Sequence, residues 1–308
     1  WNYDERRTII RDTILPHLDE QRQTLYFAGL RDYTYNDNKW IQQVGEKVNA
    51  VVEQIKKSKE YTFAAIKHGE FKIAVIGHDK DHTSSYLNYF PQWDYIELDA
   101  YPSESDIIDS TRIRQLMFTG KVSFTDGVVP GNQVRNFMRS KHFHNLAAEW
   151  EYIENYKKAA SVAPYETQYI TVDAVVEQSG HILLVKRGEF PGKGLWALPG
   201  GFVEPTERIF EGVLRELTEE TGLKVPEKVL RGSLKDKDYF DDPERSLRGR
   251  TVTHAFYFKL DDAAKLPRTR AGSDALETHW FSLAEFAEMQ GVMFEDHYHV
   301  ATNMLGRA

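Results

Sequence analysis

The chain has 308 residues, 41% hydrophobic and 28% charged, with 39 Lys and Arg against 47 Asp and Glu for a formal net charge of −8, and no cysteine. That length accommodates two domains that each bury a core, and the lack of an apolar run of roughly eighteen residues excludes a membrane-spanning helix. Without cysteine there are no disulfides, thiolate nucleophiles or sulfur-ligated zinc, as suits a cytoplasmic protein, and the acidic balance argues against nonspecific nucleic-acid binding.

The chain opens Trp1-Asn2-Tyr3 rather than on a methionine, so a preceding segment is expected. Residues 6–18 read as a helix and 24–28 as a short strand. Over 39–57, Trp40, Val44, Val48, Val51, Val52 and Ile55 recur at helical spacing. Residues 71–77 read as a buried strand and 93–98 as another strand, and 110–118 as a helix closed by Gly120. This alternation predicts a parallel sheet with helices on both faces. Residues 132–158 are helical in pattern. The small-residue stretch 159–164 marks the expected boundary, giving domains 1–160 and 165–308. Beyond it, 169–176 and 181–185 form a hairpin around Gln178-Ser179-Gly180. A helix capped by Thr206, strands near 229–233 and 251–260, and a final helix from Ser282 follow.

The helix after Gly201 carries the most chemistry. Glu216 lies three residues from Glu219 and four from Glu220, so the three carboxylates share a helical edge, while Ile209, Val213 and Leu217 form a separate apolar stripe. Crowded like charges call for a cation, and hard oxygen ligands suit Mg²⁺ or Mn²⁺. Such an ion binds a diphosphate and activates water. Arg215 is expected to pair with Glu211 or Glu219, and Gly201 permits close backbone approach. Glutamates alone would equally suit a solvated amphipathic helix. The whole pattern, Gly201-x5-Glu207-x7-Arg215-Glu216-Leu217-x-Glu219-Glu220-x-Gly222-Leu223, arises by chance on the order of 10⁻⁷ in a chain this long. It resembles the Nudix box at every fixed position.

That resemblance covers about 140 residues, counting from the change of texture at the boundary. It implies an α/β/α sandwich, metal ligation by Glu216, Glu219 and Glu220, a structural role for Glu207, and water attack on a diphosphate. Asp274 and Glu277 are candidate loop bases. The segment 245–254 resembles that of ADP-ribose pyrophosphatases, with Arg248 and Arg250 reaching phosphates or stacking on adenine; a solvated basic loop reads the same way.

In the amino-terminal half, Asp109-Ser110-Thr111-Arg112-Ile113-Arg114 opens a helix, and free N–H groups with hydroxyls and arginines there cradle phosphates. The hexapeptide resembles the Ser-Ser-Thr-x-Ile-Arg signature of nucleotidyltransferases, with Asp109 in place of the first serine. Asn36-Asp37-Asn38-Lys39-Trp40 and Ile76-Gly77-His78-Asp79-Lys80 resemble segments of archaeal-type NMN adenylyltransferases. The resemblance implies that Trp40 stacks on nicotinamide, that Gly77 and His78 contact ATP, and that Ser110, Thr111 and Arg114 bind phosphates. The family's His-x-Gly-His motif does not occur in these residues, and it is expected on the preceding segment, because a doubly wound sheet packs around its first strand.

The whole chain therefore resembles the bifunctional NMN adenylyltransferase/Nudix hydrolases. The implied fold is an amino-terminal doubly wound, Rossmann-like nucleotidyltransferase domain followed by a Nudix sandwich. The implied partners are NMN, ATP and ADP-ribose, and the implied cofactor is Mg²⁺, with Mn²⁺ as substitute. Two alternatives stand beside it: a Nudix hydrolase with a nucleotide-sensing module, and a Nudix-derived transcription regulator.

Overall fold

The computed structural model describes residues 3–19, 23–57, 72–78, 82–98, 110–122, 131–272 and 274–306. Contacts divide the chain into Trp1–His144 and Asn145–Ala308. The division falls within a helix, Lys141–Ala160, whereas composition places a boundary at its end. Among the described residues no helix is long and apolar enough to cross a membrane.

The first unit holds α1 (Tyr3–Ile14), α2 (Asp37–Lys56), β1 (Ala74–Gly77), β2 (Asp94–Glu97), α3 (Ser110–Phe118) and α4 (Gly131–Met138). The Asn36 side chain caps α2 by accepting the Lys39 N–H at 3.0 Å. Residues 24–28, expected as a strand, belong to no strand or helix. Tyr26 and Ala28 of this stretch, with Leu30 just beyond it, line a groove with Val44, Val48 and Val51 of α2, and Gln43 of α2 bonds both the N–H and the carbonyl of Arg31. A helix takes the apolar face that a sheet was expected to take, because β-propensity reports packing more than backbone preference. Strands β1 and β2 are parallel, Ala74 opposite Asp94 through Gly77 opposite Glu97, and β1, expected to be buried, alternates exposed and half-buried residues among the described residues. The crossover between them contains a 3₁₀ turn, His82–Asn88, whose Leu87 is buried.

The second unit opens within α5 (Lys141–Ala160) and contains a seven-stranded mixed sheet. Strands β3 (Tyr169–Gln178) and β4 (His181–Arg187) are joined by Ser179 and Gly180, both at positive φ, the backbone a two-residue hairpin needs. Strand β8 (Thr251–Lys259) runs parallel to β3, and β7 (Leu234–Phe240) antiparallel to β8. Short β5 (Trp196–Ala197) and long β9 (Ala275–Ser282) pair with β4, and β6 (Gly200–Phe202) pairs with the first half of β3.

Alternation along β3 assigns its two faces. Val172, Ala174 and Val176 join Leu183, Phe256 and Phe258 in a core closed by Val213, Leu214 and Leu217 of α6 (Ile209–Thr221). Full burial of one such leucine contributes about 2–3 kcal/mol. Asp173 and Val175 face the other way, toward α9 (His297–Leu305), which buries Val300, Ala301 and Met304. Two helical layers thus enclose one sheet.

Three expectations change here. Helix α6 begins at Ile209 with Arg208 in the capping position and no side-chain cap, not at Thr206. The preceding turn is closed instead by Glu207, whose carboxylate accepts the Glu204 N–H at 2.8 Å. Residues 229–233, expected as a strand, belong to a short helix α7 (Glu227–Gly232) and its cap, led by Pro226 and anchored by buried Leu230, and the strand follows at Leu234. Ser282 does cap a helix, but a single-turn one, α8 (Leu283–Phe286), and the last helix starts at His297.

Candidate active sites

The second unit has a cavity of about 460 Å³ at the meeting of β3, β4, β6 and α6. Its acidic wall comes from α6. The four-residue spacing of Glu216 and Glu220 places both in the cavity beside Gly200 and Gly201. Glu220 Oε2 accepts the Gly200 N–H at 2.9 Å. A Cβ at position 201 would lie 2.5 Å from Glu216 Oε1, so only glycine lets the helix carboxylate sit against the strand.

Arg215 organises this wall with all five of its N–H donors. It forks onto Glu207 at 3.0 and 2.7 Å, bonds Glu216 at 2.9 Å and Glu219 at 3.1 Å, and donates to the Phe202 carbonyl at 3.1 Å. Glu211, one of its two expected partners, pairs with Arg231 instead. The Arg215 hydrogen bonds hold the Glu207 carboxyl below its ordinary range. Burial works the other way on the cavity carboxylates. It raises Glu216, and with the Glu216 charge nearby it pushes Glu220 up to about 8.

Two half-buried carboxylates raised by burial and by neighbouring carboxylates are what an oxygen-ligated divalent cation relieves. Among the described residues no group of three His, Asp or Glu side chains is arranged to hold a metal. Two carboxylates do fit Mg²⁺ or Mn²⁺, which keep waters and add substrate phosphate oxygens. Glu219 stands at the exposed edge of the helix, its side chain 61% accessible, tied to the pair through Arg215.

The opposite wall carries guanidinium groups. Arg187 lies 4.1 Å over the Phe294 ring and donates to the Pro191 carbonyl at 2.8 Å. Arg248 lies 5.4 Å over Phe202 and 3.7 Å from Glu295. Arg245 is fully buried and forks onto Asp296 at 2.9 and 2.8 Å. His297 accepts the Leu198 N–H at 3.1 Å, and burial lowers its pKa to about 3, so it stays neutral beside buried Asp173.

In the first unit, Gly77 ends β1 and His78 follows it, at the carboxyl edge where open parallel sheets take ligands. His78 Nδ1 lies 2.9 Å from the Leu98 carbonyl. A Cβ on Gly77 would meet Leu87 at 2.6 Å, which is a packing reason for that glycine. Trp40 is half-buried among Tyr86, Tyr89 and Phe90, with ring centroids 5.9–6.4 Å away. Ser110 begins α3, and Arg114 donates to the Thr111 hydroxyl at 3.2 Å. Asp79, Lys80 and Asp109 lie outside the described residues.

The NUDIX domain family matches residues 167–303. A crystal structure from Francisella tularensis, a bifunctional NMN adenylyltransferase/ADP ribose pyrophosphatase complexed with AMP and Mn ion, aligns over 100% of this chain and 85% of its own, at 32% identity and TM-score 0.84. The chain belongs to this bifunctional family. An ADP-ribose pyrophosphatase of Methanocaldococcus jannaschii is 39% identical over 37% of the chain. A nicotinamide/nicotinic acid mononucleotide adenylyltransferase of Acinetobacter baylyi is 31% identical over 42% of it. The chain spans 62% and 60% of the lengths of these two curated relatives.

Of the hydrolase residues singled out from sequence, the cavity gathers Gly201, Arg215, Glu216, Glu220, Arg248 and Asp274. Arg250 pairs with Asp241 and Glu277 lies 3.9 Å from Lys186, and neither lines the cavity. Sequence reasoning missed Asp173, Arg187, Glu295 and His297. Arg187 lies two residues beyond the expected strand 181–185 and ends the observed β4, a place where pocket residues are common, but the Phe294–His297 segment meets the cavity only through packing of residues far apart in the chain.

Proposed function

We propose that the second unit hydrolyses ADP-ribose to AMP and ribose 5-phosphate with a divalent cation, Mg²⁺ or Mn²⁺, and that the first unit joins NMN and ATP into NAD⁺ and pyrophosphate. The observation that carries the hydrolase reading is the single cavity in which Glu216 and Glu220 face Arg187 and Arg248. One wall suits a cation and the other a diphosphate.

Glu216 and Glu220 would hold the cation, with exposed Glu219 as the third carboxylate of that edge. When bound, the cation neutralises diphosphate charge and lowers the pKa of an attacking water. Arg215 keeps the carboxylates in register and Gly201 lets them approach the backbone. Arg187, whose pKa is lowered by burial and then by the charge of Arg248, receives the phosphates together with Arg248. Asp274, on the cavity wall, takes the proton of the water as its oxygen bonds to phosphorus and the bridging P–O bond breaks. Glu277, engaged with Lys186, has no such access.

In the first unit, the NMN phosphate oxygen attacks the α-phosphorus of ATP in line and pyrophosphate leaves. Trp40 would stack on the nicotinamide, Gly77 and His78 would meet the nucleotide at the strand end, and Ser110, Thr111 and Arg114 would bind phosphates at the start of α3. This half rests on the family and on the position of those residues.

A paired assay tests both halves: ADP-ribose hydrolysis in one tube and NAD⁺ formation from NMN and ATP in the other, each with Mg²⁺ or Mn²⁺. Activity in both supports the proposal. Hydrolysis alone reduces the first unit to a nucleotide-sensing module, and no hydrolysis in either metal refutes the assignment of the cavity.

A further inference from the structure

The carboxyl end of α6 is completed by a loop from much later in the chain. The last carbonyls of a helix have no partner within it. The Glu220 carbonyl accepts the Gly272 N–H at 2.9 Å, the Thr221 carbonyl accepts the Arg270 N–H at 2.7 Å, and the Arg268 carbonyl accepts the Lys224 N–H at 3.3 Å. Gly222 turns the chain out of the helix in the left-handed region, at φ 49°. The contact at Gly272 leaves no room for a side chain, because a Cβ there would lie 2.0 Å from the Glu219 carbonyl oxygen.

Asp274 follows two residues later and lines the cavity. Its carbonyl accepts the Gly188 N–H at 2.9 Å, just past the end of β4. A Cβ at Gly188 would lie 2.8 Å from that carbonyl oxygen. Beside this point the pairing of β4 with β9 skips a residue. Lys186 stands opposite Glu277 and Arg187 opposite Ala275, so Leu276 has no cross-strand partner and is 60% exposed. A bulge of this kind re-aims the side chains around it. Asp274, before the bulge, reaches the cavity, whereas Glu277, after it, stays beside Lys186.

We infer that Gly188 and Gly272 are positioning residues that clamp Asp274 between β4 and the carboxylate helix through two backbone hydrogen bonds, each too close for a side chain. The inference rests on the hydrolase reading above, in which Asp274 takes the proton of the attacking water. Glu220, which holds the cation in that reading, carries the carbonyl that receives the Gly272 N–H. Base and metal ligand are thus fixed to one another through one hydrogen bond and a short run of backbone. A Cβ at Gly272 must shift the loop or the helix end by about 1 Å to reach an ordinary contact, and a displacement of that size costs on the order of 100-fold in rate. At Gly188 the crowding is milder, and the loss should be smaller.

The test is ADP-ribose hydrolysis by the full chain with Mn²⁺, comparing Gly272→Ala, Asp274→Asn and the double variant. Gly272→Ala should lower kcat about 100-fold, with KM and half-saturating Mn²⁺ near their wild-type values. In the double variant the losses should not multiply, since a residue that acts through Asp274 has nothing to position once that carboxylate is gone. Losses that multiply overturn the inference, as does a wild-type kcat in Gly272→Ala. A loss that excess Mn²⁺ restores also overturns it, because the glycine would then serve the metal site. Gly188→Ala should lose less and show the same non-additivity, and it carries the test if Gly272→Ala does not fold. Amide hydrogen exchange of the wild-type chain separates the two claims. Slow exchange at Gly188 and Gly272 in a chain that does not hydrolyse ADP-ribose defeats the proposed reaction and leaves the clamp standing. Fast exchange at both in a chain that does hydrolyse it defeats the clamp and leaves the reaction standing.

Discussion

Arg215 is the residue whose replacement separates holding a cation from using it. Its guanidinium makes five contacts of 2.7–3.1 Å to Glu207, Glu216, Glu219 and the Phe202 carbonyl. Charge-assisted hydrogen bonds of this kind contribute about 1.5–3 kcal/mol each when buried. The Arg215 and Glu207 side chains are 24% and 13% exposed, so screening takes the lower end, and contacts that share one group do not add. A loss of roughly 2–4 kcal/mol for Arg215→Met follows, which lowers Tm by about 5–15 °C for a unit of this size. The catalytic effect is separate. Without the guanidinium Glu216 loses its register, and misplacement by about 1 Å costs on the order of 100-fold in kcat. The same change removes a positive charge 2.9 Å from Glu216, so the site becomes more attractive to a cation. The assay is ADP-ribose hydrolysis against Mn²⁺ concentration, with thermal unfolding alongside. The expected pattern is a kcat about 100-fold lower with a half-saturating Mn²⁺ equal to or below that of the wild type. Activity that excess Mn²⁺ restores in full would refute the reasoning, since Arg215 would then matter only for metal retention. Arg215→Lys should lose kcat as Arg215→Met does, because a single ammonium cannot reproduce the fork, but its retained charge should leave the half-saturating Mn²⁺ near the wild-type value.

Glu220→Gln should abolish ADP-ribose hydrolysis and leave NAD⁺ formation and NMN binding at wild-type levels; losing both activities together would show that the units have been misassigned. For the loop carboxylates, Asp274→Asn should slow hydrolysis by about 10²-fold, the low end for a general base, whereas Glu277→Gln should stay near the wild-type rate, and the reverse ranking in kcat would transfer the role to Glu277. The raised pKa of Glu220, about 8 from burial and the neighbouring Glu216, sets a pH dependence. A carboxyl with a folded pKa above its unfolded value binds more protons when folded, so without divalent cation stability should fall as pH rises from about 4.5 to 8. Added Mn²⁺ should recover the loss at pH 8. Thermal unfolding across that range checks both, and a cation-free Tm that rises with pH would contradict the assignment.

Much of this protein was legible in the order of its residues. The Nudix box could be read because its chemistry is local: Glu216 and Glu220 are four apart on one helix, so α-helical geometry alone brings them together. The same holds for the hairpin at Ser179-Gly180, for α2 and α3, and for the short strands β1 and β2, whose patterns and punctuation lie within a few residues. The errors came where local preference met a tertiary competitor. Residues 24–28 lie along the groove of a helix rather than in a sheet, Glu207 displaced Thr206 as the organiser of the turn before α6, and Pro226 with buried Leu230 drew 229–232 into a helix.

What only the tertiary structure decided is the wall that faces the carboxylates. Arg187 ends β4, Arg248 sits on a loop, Tyr152 lies on α5, and Phe294 to His297 lead into the last helix. The ion pair of Arg245 with Asp296 spans 51 positions and the Leu198–His297 hydrogen bond spans 99. No spacing rule reaches so far, since such contacts are set by which faces of the sheet are buried and where its strands end. The sequence by itself determined the chemistry that α6 offers, and packing decided which arginines, rings and loop carboxylate would meet it.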